Sequence, residues 1–431
     1  MRRRPGCSGS RRWMGGALPG FPLARFQELA MDDGSRLLTG PGAGPVLSAA
    51  VRHAGGELLS WTLEHVDANP NQSTTATYLA KVSWPYGERT ELLGVSARSG
   101  ELSETDRGAE VFGDGNREVA VWIYPADPDL PGLKRAAYPE LLAALVNDAR
   151  LLPYPVTGDE LELKIIGYRP RRRAVVRFTT GGNTFYIKAI RAKLFDDVLF
   201  RHRMLTAAGV PAPHVAHTTS DQLMILDALQ GKPLARAIFD PGDPCTPEQL
   251  IEVLDSMPPS VAQLERRPPW SDAVQHYAEI VSSALPEARG DLEWAVQRIR
   301  AGLAGIPLGI EPTHGDFHEG QVHVAAGRVV GILDVDTIGP GRRADDLACL
   351  IAHLSTIQRM NPAQEAKVRD LLARWVPVFD RRVDPVELRL RAAAVVISLA
   401  TGPYRSQEPN WQESTRQMVR SALALVRQVA G

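Results

Sequence analysis

The sequence predicts an α+β chain whose strands come first and whose helices come last, with one chemically dense loop set among the helices. Three observations predict it. From about Val46 to Tyr124 short β-like runs alternate with turn signals, and from Glu160 to Ala189 three further runs do the same. From Pro247 onward apolar residues recur at helical spacing between Pro, Gly and Asp boundaries. At 431 residues, 44% hydrophobic and 23% charged, the chain is long enough for two or three domains and a large core.

The first sixteen residues hold five arginines among glycines and serines, and no apolar h-region follows, so residues 1–44 read as a disordered tail. Residues 45–124 read as a β-rich domain. Its runs are Val46 to His53, Leu58 to Val66, Thr75 to Trp84, Arg89 to Ser96 and Val119 to Tyr124, parted by turn signals such as Gly55-Gly56 and Tyr86-Gly87. They predict an antiparallel sheet of four or five strands. It contains no constellation of His, Cys and acids that reads as a site, so it is expected to be a structural or substrate-covering cap. Residues 125–158 follow as a proline-rich linker, Pro125 to Gly132, and a helix from Pro139 to Leu151. Residues 159–234 begin with strands Glu160 to Tyr168, Ala174 to Thr179 and Thr184 to Ala189, then a helix from about Phe195 to Ala208 that stops at Gly209, then a buried strand run from Gln222 to Leu229. Residues 235–431 are expected to be mainly helical, with helices Pro247 to Met257, Trp270 to Leu285, Leu292 to Leu303, Pro362 to Trp375, Pro385 to Thr401 and Glu413 to Val429.

Within that last part lies His314-Gly315-Asp316-Phe317-His318-Glu319-Gly320-Gln321, followed by Gly331-Ile332-Leu333-Asp334-Val335-Asp336. The first stretch lacks regular periodicity and crowds two imidazoles and two carboxylates between glycines, which suits a functional loop. The second is a short apolar strand ending in acids. The turn signal Gly327-Arg328 folds Val322 to Val324 back on it as a hairpin, which brings Asp316, Gln321 and Asp334 together. Those are the parts of a phosphoryl-transfer site: one carboxylate to accept the proton of an attacking hydroxyl, with amide and carboxylate oxygens to hold Mg²⁺ against phosphates.

This stretch resembles the aminoglycoside phosphotransferase family and its relatives, among them choline, maltose and aminosugar kinases, whose pattern is His-Gly-Asp, four residues, Asn or Gln, then a strand ending in Asp. The resemblance implies a protein-kinase-like two-lobe fold, with an antiparallel β small lobe and a mainly helical large lobe behind an N-terminal β-rich cap. It implies that ATP is the phosphate donor, that Asp316 is the catalytic base and that Gln321 and Asp334 bind Mg²⁺; Gln321 stands where Asn is commoner. Lys188, on the strand face opposite Phe185, Ile187 and Ala189, matches the lysine that pairs with the α/β-phosphates, and backbone groups near Asp227 to Leu229 match the adenine-binding hinge. The turn Tyr168 to Arg173 would lie over the phosphates. It lacks the G-x-G-x-x-G glycines, so either arginine charge substitutes for close backbone approach or the turn is a solvated basic hairpin. The usual Glu partner of the lysine is absent from the helix that follows.

His314 is expected to fix the loop by hydrogen bonding and His318 to face substrate or phosphate, with Asp336 and Asp346 in support; Asp345 or Asp346 also reads as the cap of a helix running to about Leu354. Tyr404, Glu408, Trp411 and Glu413 are the acceptor-binding candidates that the resemblance implies, an interhelical loop packed by Trp411 being the plainer alternative. The spacing of His314 and His318 resembles a helical zinc pair, but Gly315 and Gly320 interrupt any helix and no third ligand has zinc spacing.

A net charge of −1 speaks against nucleic-acid binding. Cys7, Cys245 and Cys349 have no metal or redox spacing and read as reduced thiols of a cytoplasmic protein. The longest apolar run, Ala392 to Ala400, falls well short of the about 20 residues that span a bilayer. The function expected is therefore phosphate transfer from a nucleotide to a small hydroxylated acceptor, an aminoglycoside, aminosugar or other sugar, with neither nucleic acid nor membrane as partner. The alternative is a catalytically weak, kinase-like nucleotide-binding or regulatory protein, motivated by the missing glycines and the missing Glu.

Overall fold

The run expected as the first strand, Val46 to His53, is instead the body of a helix, Ala43–His53. Its buried residues Ala43, Val46, Leu47, Ala50 and Val51 recur every three or four positions, and that period outweighs the strand preference of its two valines. A short helix, Ser35–Thr39, precedes it and buries Leu37 and Leu38, so ordered chain begins ahead of the expected boundary at residue 44. The computed structural model describes residues 34–69, 73–99, 109–113, 117–357 and 360–429; most of the expected tail lies outside the described residues.

The chain divides into two compact units, residues 1–193 with 218–224, and residues 194–217 with 225–431. In the first, β1 (Glu57–Asn69), β2 (Ser73–Trp84), β3 (Gly87–Ser99), β4 (Glu110–Gly113) and β5 (Arg117–Ile123) form an antiparallel sheet in the order β1-β2-β3-β5-β4. Tyr78, Ala80, Val82, Leu93, Val95 and Val121 from its strands join the two helices in one core. Helices Leu133–Ala137 and Pro139–Asp148 follow the linker, and Asn147 ties down the next turn by exchanging two hydrogen bonds of 2.8 Å with the Val156 backbone. An antiparallel meander comes next, β6 (Glu162–Arg169), β7 (Arg173–Thr180) and β8 (Asn183–Ile190). The β8 alternation is as expected: Phe185, Ile187 and Ala189 are core residues, and Lys188 lies on the opposite side, opposite Val175 in register. Ile190 N–H reaches Gln222 O, 3.2 Å away, at the approach to a further strand, Leu223–Asp227.

The second unit is mainly helical. Helix Ala192–Ala207, of which Leu194 onward belongs here, ends at Gly209, whose φ of 77° needs glycine. Two cores fill the unit. One gathers Leu205, Leu250, Phe317, Ile332, Leu350 and Trp375; the other gathers helices Val274–Ala284, Arg289–Leu303 and Trp411–Arg427 around the helix Pro385–Leu399. That last helix is buried nearly all round, as a central helix must be if it is apolar on every face. The helix expected to stop at Trp375 runs on to Arg382 through Pro377, because Trp375 and Phe379 are both buried and hold the chain in register across the missing N–H. Among the described residues no helix is long and apolar enough to cross a membrane.

Candidate active site

The loop begins where a strand, Glu311–Thr313, pairs antiparallel with Gly339–Gly341. From there the backbone turns at Gly315, whose φ is 81° and where a Cβ would lie 2.7 Å from the Thr337 carbonyl, so only glycine fits. Thr337 Oγ1 donates to His314 O, and Phe317 drives a fully buried ring into the core, which fixes the loop from both sides. His314 Nε2–H donates to Leu333 O at 2.8 Å. Its Nδ1 therefore carries the lone pair that accepts the Asp316 N–H at 3.3 Å, and one neutral tautomer joins loop to strand.

The hairpin forms as expected, from Val322–Ala325 and Arg328–Ile332, with positive φ at both Ala326 and Gly327 as a tight two-residue turn requires. Leu333 N–H donates to Gln321 O at 2.7 Å. That bond sets Gln321 beside the residue before Asp334, so the two expected metal ligands leave adjacent points of the backbone. Asp334 takes the left-handed conformation, φ 52° and ψ 49°, which is uncommon for a non-glycine residue and turns the backbone out of the strand.

Asp346 does not cap its helix, Arg343–Ser355. Asp345 does so instead, accepting the Arg342 N–H at 3.1 Å, while the fully buried Asp346 accepts the N–H groups of His314 at 3.0 Å and Gly315 at 2.9 Å. Arg343 Nη1 pairs with Asp346 at 2.9 Å, and its Nη2 donates to the carbonyls of Leu254 and Pro312. Burial pushes the Asp346 carboxyl up, and Arg343 with the two N–H donors pulls it back. Asp336 lies 3.6 Å from Nε2 of the buried His202.

Three neighbours of Asp316 escaped the sequence reading. Cys349 Sγ lies 3.9 Å from Asp316 Oδ1; burial first, then the carboxylates of Asp316, Asp346 and Glu319, hold its thiol protonated, so it can donate to the Asp316 carboxylate. His353 stacks on His318 with ring centroids 4.2 Å apart and planes 7° apart, and burial lowers its pKa to about 3. Glu319 Oε2 lies 3.9 Å from Nδ1 of both histidines; burial raises its pKa to about 7, with the charge of Asp316 adding to the rise. Burial likewise lowers the pKa of His318, against the opposing charges of Asp316 and Asp334, which places that imidazole in the field of both carboxylates. Cys349 and His353 lie on a helix 33 and 37 residues beyond Asp316 and no spacing rule connects them to it.

With His353 as third ligand, Asp316, His318 and His353 have the composition of a transition-metal site, their ligand atoms within 4.8 Å of one another. Two details count against it. His318 Nδ1 already accepts the Gly320 N–H at 3.1 Å, and parallel stacked rings do not aim their nitrogens at one point. The oxygens of Asp316, Gln321 and Asp334 are hard donors and suit Mg²⁺.

The remaining expected residues stand on other elements. Lys188 belongs to the first unit, where it is almost fully buried. The Asp227 N–H donates to His214 O at 3.0 Å. Tyr404 and Trp411 meet edge to face at 5.1 Å, and Trp411 packs against the helical core. Glu408 accepts the Trp411 N–H through its backbone carbonyl, while Glu413 is exposed and bound to Arg420 at 2.8 Å and Arg416 at 3.4 Å.

Residues 168–382 match the model of the phosphotransferase enzyme family. An uncharacterized protein of Deinococcus radiodurans is 38% identical over 66 residues, a stretch that spans 15% of this chain and only 19% of that protein. Among solved structures, choline kinase from Cryptosporidium parvum is 11% identical, with 67% of this chain and 96% of that one covered at a TM-score of 0.46. A thermostable mutant of an aminoglycoside phosphotransferase is 16% identical, with 63% and 95% covered at 0.44. Aminoglycoside 2′-phosphotransferase-IIIa, solved with GDP, is 13% identical, with 66% and 98% covered at 0.46. The fold class expected from the sequence, α+β and protein-kinase-like, is the family's own. Through residues 168–382, which hold the loop, the hairpin and the helix that braces them, the chain belongs to the phosphotransferase enzyme family.

Proposed function

We propose that the chain moves the γ-phosphate of ATP to a hydroxyl of a small molecule, with an aminoglycoside, aminosugar or other sugar as the acceptor class. The observation that carries this reading is the frame around Asp316. Its backbone N–H is bonded to His314, its loop is pinned by Asp346, and Gln321 and Asp334 leave the hairpin side by side. In that frame Asp316 accepts the proton of the acceptor hydroxyl as its oxygen attacks the γ-phosphorus; the bond to the β-phosphate oxygen breaks and ADP leaves. Mg²⁺, held by Gln321 and Asp334, would neutralise charge on the phosphate oxygens. Cys349 S–H steadies the carboxylate without competing for the proton, since its own pKa lies well above the ordinary thiol value.

Lys188 would supply phosphate-binding charge. Because the Asp227 N–H is engaged by His214, the adenine contacts of the hinge would fall to the Asp227 carbonyl and the Leu229 N–H. Tyr404 and Trp411 form the aromatic wall on which a sugar ring could stack; Glu413, committed to two arginines, is the weakest of the acceptor candidates. A catalytically weak nucleotide-binding protein is the second reading, favoured by the hairpin tip at Arg169–Arg173, which is built without glycines.

Turnover of Mg·ATP against a panel of aminoglycosides, aminosugars, disaccharides and amino alcohols separates the two readings. Asp316→Asn should lower phosphorylation by about 10²–10⁴-fold while leaving Mg·ATP affinity nearly unchanged. Equal turnover in that variant would remove Asp316 as the base, and no turnover of any acceptor by the native chain would favour the second reading.

A further inference from the structure

The turn between β6 and β7 carries Arg169-Pro170-Arg171-Arg172-Arg173, and its arginines invite the reading of a phosphate clamp. The structure gives Arg171 another place. It is 1% exposed and left-handed, φ 60°, with its guanidinium over the Trp122 ring at 5.1 Å and Nη1 3.6 Å from Asp129. What holds it there comes from outside the meander. Asp127, 4% exposed, accepts the Arg171 N–H at 2.8 Å and the Tyr168 hydroxyl at 2.8 Å on one oxygen, and the Asp129 N–H at 2.9 Å on the other. Trp122 Nε1–H donates to the Tyr168 oxygen at 2.6 Å, and the indole lies where a Cβ at its register partner Gly94 would stand, 2.4 Å away. From β1, Asp67 pairs with Arg172 at 2.7 Å. The far side is closed by Arg191, whose Nε donates to Arg171 O.

A solvated hairpin needs none of this. Burying an aspartate and an arginine costs several kcal/mol each unless partners satisfy them, so a network of this kind is retained where one geometry matters. The register shows what is near it. Arg173 pairs with Ile190 and Val175 with Lys188, so Lys188 sits two residues from the tip, roughly 7 Å along the strand.

We infer that the N-terminal β domain and its linker are a brace for the phosphate-covering turn, with Asp127 as the positioning residue and Trp122 and Tyr168 as its relay. This rests on the kinase reading above. Where the protein-kinase pattern lets glycine backbone approach the phosphates, this chain fixes the tip from behind, and the expected cap acts on the nucleotide rather than on the acceptor.

The test is equilibrium binding to the full-length protein of Mg·ATP and, separately, of adenosine, which shares the base and ribose but has no phosphates. Asp127→Asn and the milder Tyr168→Phe are compared with the native chain, with circular dichroism to confirm folding. The brace predicts that Mg·ATP affinity falls about tenfold in Asp127→Asn, and less in Tyr168→Phe, with adenosine affinity held within about twofold. Unchanged Mg·ATP affinity in both variants, or equal losses for the two ligands, overturns it and leaves the kinase reading standing. A native chain that binds no Mg·ATP overturns both.

Discussion

The loop that carries Asp316 is held by a carboxylate that no substrate would touch. Asp346 receives two loop amides and the Arg343 guanidinium inside a fully buried pocket. Asp346→Ala would leave two buried loop amides without an acceptor and that guanidinium, itself only 2% exposed, with Asp255 as its remaining carboxylate, and should cost about 3–5 kcal/mol, read as a fall in the urea midpoint. Asp346→Asn keeps an acceptor for the amides and should cost less. His353 gives a pH prediction whose sign follows from burial. Its folded pKa of about 3 lies below the ordinary 6.5, so as pH falls below 6.5 the unfolded chain takes up a proton that the folded chain refuses, and stability is lost progressively until about pH 3. At pH 5 that amounts to about 2 kcal/mol. His353→Gln should recover about that much at pH 5 and almost nothing at pH 8, as melting temperatures at the two pH values would reveal; an equal effect at both would mean the imidazole acts by packing alone. The arrangement legible in the sequence was that of the candidate residues sharing a short stretch, from His314 to Asp336, where spacing translates directly into geometry. Cys349 and His353 come from a helix whose face toward the loop is set by packing, and a buried thiol or imidazole on an apolar helix reads from sequence as core.

At the scale of elements, the hairpin behind the site contains a local compromise. Ala326 sits at φ 48°, a left-handed conformation that an alanine adopts at a cost and an asparagine tolerates, directly before Gly327 at φ 73°. Ala326→Asn should stabilise the chain by about 0.5–1 kcal/mol, seen as a higher urea midpoint with an unchanged slope. A destabilised variant would show that the alanine methyl contributes packing that outweighs the backbone gain. The hairpin was legible because its strands bound a Gly-Arg turn signal, and the β8 face was legible from strict alternation. The helix Ala43–His53 was not, since its valines and its position ahead of a run of strands suggested a further strand, and only the 3.6-residue spacing of its buried positions marks it. The helix through Pro377 was cut short by the same kind of error, local propensity taken as decisive where buried neighbours on either side of the proline override it.

For the whole molecule, the separation of cores bears on how nucleotide binding would be detected. Among the described residues the core of Leu37 to Val121 is built from the first unit, and Asp316, Gln321 and Asp334 stand in the second. A ligand that binds only the folded state at a hundred times its dissociation constant stabilises that state by about 2.7 kcal/mol, which for a unit of this size corresponds to roughly 5–10 °C in melting temperature. Mg·ATP should therefore raise a melting transition of the native chain by about that amount, and ATP with a chelator should raise it much less if Gln321 and Asp334 hold the ion that carries the phosphates. Asp334→Ala should remove the difference between the two conditions and lower the melting temperature of the unliganded protein by a few degrees, because alanine tolerates φ 52° less well than aspartate does. Asp316→Asn should leave the Mg·ATP shift in place while turnover is lost. An Asp334→Ala protein whose melting temperature still distinguishes Mg·ATP from chelated ATP would take the metal away from the end of the hairpin, and would move the search for its ligands to the Asp316 side of the loop.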